Sequence, residues 1–243
     1  MKQFPLMRRA MAMVLGLSLM AWAGDKKNKP APSPVVDSGS FGVFIKGQRV
    51  VTESFHIEQQ NGLSVIKAQL KEPNGATAIQ KCELAVTSAG ELIRYEWSQE
   101  SGGSLSVLPN NDFLIEKIIA STGGKPAEQP FLMPTTSPIL DNNFFVLREV
   151  LAWRYLAANC KPEGCQSGPA EFGVLVPQDH ISQRVRLEMG GKEKVTIRGA
   201  EHELLKISLT GESFEWALWV DPQDQFKLMR VTIPADNTEV IRD

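Results

Sequence analysis

From Phe41 onward the chain alternates apolar and polar residues with period two, interrupted by turn signals. This is the pattern of antiparallel strands with one buried face. Ile66, Ala68 and Leu70 alternate with Lys67, Gln69 and Lys71. Cys82, Leu84 and Val86 alternate with Lys81, Glu83 and Ala85, and Ile93, Tyr95 and Trp97 with Arg94 and Glu96. The second half repeats the rule: Val185, Leu187 and Met189 oppose Arg184, Arg186 and Glu188, and Phe214, Trp216, Leu218 and Val220 form another inner set. Turns fall between the runs at Asn61-Gly62, Asn74-Gly75, Ala89-Gly90, Gly102-Gly103, Gly190-Gly191 and Asp221-Pro222. Asn-Gly between alternating runs is the strongest short hairpin signal. The count is about a dozen strands, too many for a flat open sheet that neither curls nor closes.

One segment breaks this rhythm. Ser137 and Pro138 offer an N-cap and a first-turn proline, and Ile139 to Ala158 runs without Gly or Pro, which predicts a helix. On a 3.6-residue wheel Leu140, Phe144, Leu147, Leu151 and Tyr155 line one side. Asn143, Val146, Val150, Trp153 and Ala157 widen it past half the circumference, leaving Asp141, Asn142, Arg148 and Glu149 for the polar arc. A helix that apolar is enclosed. The predicted fold is mainly β with one central helix: a curved antiparallel sheet, a half-barrel, wrapped around a buried α-helix.

The run Gly47-Gln-Arg-Val-Val-Thr-Glu-Ser-Phe-His-Ile57 resembles the opening hairpin of an uncharacterised class of secreted bacterial β half-barrel domains. The run Leu218-Trp-Val-Asp-Pro-Gln-Asp-Gln-Phe-Lys-Leu-Met-Arg-Val-Thr-Ile-Pro234 resembles their closing strands. The resemblance covers roughly 40–243 in strand order, and its motifs are structural. Those domains are similar in outline to the bacterial lipoprotein-localisation carriers and receptors, whose half-barrel encloses a helix and shelters acyl chains. The resemblance implies the architecture. No motif specific to lipoprotein transport is present, and the stretch from Cys160 to Cys165 lies outside it.

Ahead of the strands, Lys2, Arg8 and Arg9 precede an apolar run to Met20 and the small residues of Ala21-Trp22-Ala23-Gly24. This predicts a signal peptide over 1–23, cleaved after Ala23. The apolar run is shorter than the roughly 20 residues a spanning helix needs, so no transmembrane span is expected after cleavage. Residues 24–39, proline- and lysine-rich at first, read as a disordered tether, and 40–243 as a single half-barrel domain. The expected location is secreted, most naturally periplasmic.

Charge narrows the partners. The whole chain has 26 basic and 28 acidic side chains. Without Lys2, Arg8 and Arg9 the basic count falls to 23, a net charge near −5. This excludes a polybasic nucleic-acid binder and weakens attraction to anionic membrane surfaces.

The three cysteines divide by position. Cys160-Lys-Pro-Glu-Gly-Cys165 has a bending spacer and, in an oxidising compartment, predicts a structural disulfide. A redox pair would favour two intervening residues and a metal site would need more ligands. Cys82, on an apolar strand face, is expected to be a buried thiol. His56, His180 and His202 stand apart, with no His-Glu-x-x-His, no nucleophile elbow and no phosphate-cradling loop. No catalytic residue, metal ligand or cofactor is predicted, and a hydrolase is the weakest reading.

Two features bear on binding. Phe144, Leu147, Leu151, Trp153, Trp97 and Trp216 either fill the core or line an apolar cavity between helix and sheet. Phe131, Leu132 and Met133, on a proline-punctuated connection between Thr122 and Asn143, either pin that loop or form a lid. Trp219 falls between inward positions and so points outward, a candidate contact surface. The partners considered are therefore an apolar ligand or lipid, sheltered between sheet and helix, or an envelope protein held by a structural adaptor.

Overall fold

The structure, a computed structural model, describes residues 35–161, 164–166 and 168–243. The predicted leader, its cleavage site at Ala23 and tether residues 24–34 lie outside the described residues. The strands are β1 Val35–Ile45, β2 Gln48–Gln60, β3 Leu63–Lys71, β4 Gln80–Thr87, β5 Leu92–Gln99, β6 Ser104–Asn110, β7 Phe113–Ile119 and β8 Ala127–Phe131. Helix α1 spans Val146–Asn159, and the short β9 Cys160–Lys161 and β10 Gly164–Cys165 follow it. The chain then forms β11 Ala170–Val176, β12 Ile181–Ile197, β13 Ala200–Thr210, β14 Glu215–Asp221, β15 Lys227–Ile233 and β16 Thr238–Arg242.

Fourteen strands make one antiparallel sheet in the order β11-β12-β13-β14-β15-β16-β1-β2-β3-β4-β5-β6-β7-β8. The meander is continuous across the chain ends because β1 pairs with β16. Its two edges, β8 and β11, are the last strand of this sheet before the helix and the first after it. The sheet is not closed. At the seam Gln129 Nε2 donates to the His180 carbonyl at 3.0 Å, and His180 Nδ1 meets the buried Glu116 carboxylate at 2.9 Å. Inward side chains of both halves and the apolar positions of α1 form one core, so the half-barrel does wrap a buried helix.

Several local expectations are corrected. Residues 35–39, expected in the tether, belong to strand β1: Asp37 is buried and accepts Arg242 Nη2 at 2.7 Å, which ties β1 to β16. Gly190-Gly191 is a bulge inside the 17-residue β12, where the register to β13 shifts between Met189 and Lys192. The connection from Thr122 to Asn143 contains β8, which is paired to β7.

The helix begins at Val146 rather than Ile139. Pro138 and Leu140 exchange backbone hydrogen bonds with Leu175, at 3.0 and 2.9 Å, which holds that stretch extended beside β11. The Asp141 carboxylate then accepts the Asn143 and Phe144 N–H groups, an Asx turn that diverts the chain before it coils. The cap comes from far away in sequence. Glu53 on β2 accepts the Phe145 and Val146 N–H groups at 2.7 and 3.0 Å, so two orphan donors of the first turn are satisfied by a strand carboxylate.

The cysteine expectations hold. Cys160 and Cys165 are disulfide-bonded across the β9–β10 pair, and Cys82 is a buried free thiol.

Candidate functional site

The apolar residues singled out along the helix lie against the sheet. Phe144, Leu147 and Leu151 are fully buried in the common core, and half-buried Trp97, Trp153 and Trp216 pack against it. Each of these tryptophans is held by a partner: Trp97 Nε1 donates to Gln80 Oε1 at 3.2 Å, Trp153 Nε1 to the Phe226 carbonyl at 2.9 Å, and Trp216 packs at a tilt against Phe214, ring centroids 4.5 Å apart. The supposed lid divides. Phe131 and Met133 are buried in the core, while Leu132 between them is 93% exposed.

Of the expected polar arc only Asn142 is exposed, which corrects the wheel reading. Arg148 and Glu149 have no exposed surface. Arg148 lies between the rings of Phe145 and Trp216, each 4.7 Å from its guanidinium carbon, and donates to the Phe144 and Asn142 carbonyls. Glu53 and Asp141 supply opposite charge nearby. Asp141 accepts the Tyr95 hydroxyl and, at 2.6 Å, the Gln178 amide. Burial pushes Glu53 up to about 7 against its backbone hydrogen bonds and Arg148, and lowers Arg148 to about 10. Glu149 faces Asp37 and Arg242; burial first, then Asp37, raises it to about 9. These groups position α1 inside the sheet. Among the described residues no three His, Cys, Asp or Glu side chains converge as a metal site requires.

Trp219 points outward, as its parity requires, yet it is only 7% exposed. The far half of the β12–β13 hairpin covers it: Val195, Ile197 and Leu204 pack with Trp219 in a second apolar cluster, flanked by Ala217, Met229 and Ile241. Trp219 Nε1 donates to Glu193 Oε2 at 3.0 Å, and Lys206 and Arg230 lie over its ring. The outward indole is thus a packing residue under a bulge-bent hairpin, and its expected role as an exposed contact is corrected. Trp219→Ala should lower stability by about 3–5 kcal/mol through the cavity it leaves, read as an earlier midpoint in urea unfolding.

The open site lies elsewhere. A cavity of about 810 Å³ opens on the outward face of β2 to β7. Its outward lining residues fall into two cross-strand rows set by strand register. One row runs Ser54, Gln69, Lys81, Ser98, Ser104, Ile119, and the other His56, Lys67, Glu83, Glu96, Ser106, Lys117. Phe55, Ala68, Cys82, Trp97 and Leu105, which alternate with these rows along the strands, also line the cavity and pack into the core. Residues two apart on a strand stand about 6.7 Å from each other, and six strands span about 24 Å, so the site is a furrow crossing the strands.

The rows differ in electrostatics. The second is engaged with itself and its surroundings: Lys67 pairs with Glu83 at 3.6 Å, Arg94 bridges Glu83 and Glu96, Lys117 meets Glu128 at 3.0 Å, and His56 meets Glu58 at 2.9 Å. The side chains of Ser54, Gln69, Lys81, Ser98, Ser104 and Ser106 have no protein hydrogen-bond or ion-pair partner among the described residues. Of these, the alternation in the sequence put only Gln69 and Lys81 on a polar strand face, and the furrow stayed hidden because only register aligns its residues. A second outward cavity, about 690 Å³, lies between Met133 and the strands β11 to β13 and includes Arg184, Arg186 and Glu171.

No family model and no curated protein matches the chain. Among solved structures, the chain is similar to the crystal structure of a β-barrel-like protein of a domain of unknown function, DUF1849, from Brucella abortus. The two are 6% identical, with a TM-score of 0.47 over 86% of this chain and 97% of that one. So loose a likeness has no bearing on function.

Proposed function

We propose that this protein is a non-catalytic binding module of an extracytoplasmic compartment, and that it holds its ligand in the outward furrow across β2 to β7. The observation that carries this reading is a ligand-sized concavity, about 810 Å³, bordered by a row of polar side chains without protein partners. The compartment is supported by the Cys160–Cys165 disulfide and by the leader-like pattern at 1–23. Among the described residues no helix is long and apolar enough to cross a membrane.

An apolar ligand between helix and sheet is the competing reading. It has to displace side chains that already occupy that space, among them Phe144, Leu147, Leu151 and the Arg148 guanidinium between two rings. Displacing a buried charge costs far more than displacing water.

Ser104 lines the furrow on β6, the fifth of its six strands, and points away from the core, so Ser104→Trp obstructs the site without touching the interior. In native mass spectrometry of the protein from its own source, the wild type should carry a polar small-molecule or oligomer mass that the variant lacks. A lipid mass carried equally by both, or no bound mass on either, overturns the furrow reading.

A further inference from the structure

We infer that the furrow ligand is an extended glycan bearing acidic groups; this rests on the furrow being the binding site. The first argument is topological. The furrow crosses interior strands whose backbone N–H and C=O groups are already paired in the ladders to both neighbours. An extended peptide cannot add here as an extra strand, the mode in which main-chain bonds supply its affinity. Recognition has to come from side chains.

The second argument is chemical complementarity. The free row presents serine hydroxyls and an amide, groups that donate and accept at once. Their best counterparts are hydroxyls, which do the same.

The third argument is spacing. From Ser54 on β2 to Ser104 on β6, polar groups recur along the row once per strand, about 4.8 Å apart, close to the rise of one sugar in an extended glycan. An extended peptide returns the same face only every 6.7 Å or so.

The fourth argument is charge. Lys67 and Lys117 have acidic partners at 3.6 and 3.0 Å, whereas Lys81, in the middle of the free row, has none among the described residues. One unpaired ammonium amid neutral hydroxyls fits a carboxylate or phosphate on the ligand, as a charge-assisted hydrogen bond.

The test is calorimetry of the purified protein against three probes: oligogalacturonate (acidic and hydroxylated), cello-oligosaccharide (neutral and hydroxylated) and polyglutamate (acidic peptide). Oligogalacturonate should bind, cello-oligosaccharide about tenfold more weakly, and polyglutamate not measurably. Lys81→Gln should weaken oligogalacturonate about tenfold and leave cello-oligosaccharide unchanged, while Ser104→Trp abolishes both without shifting the melting temperature. If polyglutamate binds as well as oligogalacturonate and Ser104→Trp abolishes it, the furrow reading stands and the glycan falls. If cello-oligosaccharide binds as tightly as oligogalacturonate and Lys81→Gln changes neither, the requirement for acidic groups falls. If no probe binds, or Ser104→Trp changes nothing, both fall.

Discussion

Replacing Arg148 by methionine is expected to lower stability by about 3–5 kcal/mol at pH 8, and by clearly less at pH 5. Methionine roughly matches the stem of arginine and keeps the apolar contact with Phe145 and Trp216, so the loss is mainly one of charge and hydrogen bonds. Those bonds hold the Phe144 and Asn142 carbonyls at the turn that leads into α1. The charge offsets two carboxyl groups buried nearby, Glu53 and Asp141, both already raised by burial and both drawn back down by Arg148. Without the guanidinium their affinity for protons rises further. The variant then folds with both acids protonated, which costs little at pH 5 and progressively more as the unfolded chain releases those protons. Urea unfolding at the two pH values checks this. A penalty independent of pH would mean that Arg148 acts through its hydrogen bonds to the Phe144 and Asn142 carbonyls and its packing, not through its charge on Glu53 and Asp141.

That cluster shows what the sequence disclosed and what it hid. Period two gave the strands because one face of nearly every strand is buried in a common core. The same parity held an unread signal. Glu53 shares its face with Phe55 and Ile57, and Glu116 shares its face with Leu114, so each was an acid placed at an inward position. An inward carboxylate among apolar neighbours marks either a cap or an ion pair, and Glu53 is the cap of α1. The helix wheel failed for a different reason. It assigns charged side chains to solvent, whereas Arg148 and Glu149 are enclosed by partners from β2, β1 and β16 that no local pattern reveals. Trp219 failed likewise: its direction followed from parity, its burial from a hairpin bent over it. The furrow was illegible because its two rows draw on six strands. Ser98 and Ser104 become neighbours of Lys81 only once β4, β5 and β6 are in register.

The stability of the wild type should fall as pH rises from about 5 to 9, and Glu149→Gln should remove most of the fall between pH 7 and 9. Glu149 is an acid with no exposed surface on α1. Burial and the adjoining Asp37 carboxylate raise it to about 9, with Arg242 pulling the other way. The unfolded chain loses this proton near the ordinary value of 4.5. Across the window from 4.5 to 9 the folded state therefore binds one more proton than the unfolded state, and stability declines by about 1.4 kcal/mol per pH unit from this group. The contribution is fully present below 4.5 and lost as pH passes the folded value. Glu53, raised to about 7, adds its own decline at the lower end of the window. A glutamine at 149 keeps an acceptor for Arg242 and supplies a donor toward Asp37, so it reproduces the protonated acid without its titration. The variant should match the wild type near pH 5 and exceed it at pH 9, by Gibbs energies from denaturant unfolding. An unchanged slope between pH 7 and 9 would assign the proton to another group and leave Glu149 ionised beside Arg242, a pair in which glutamine then costs stability at every pH.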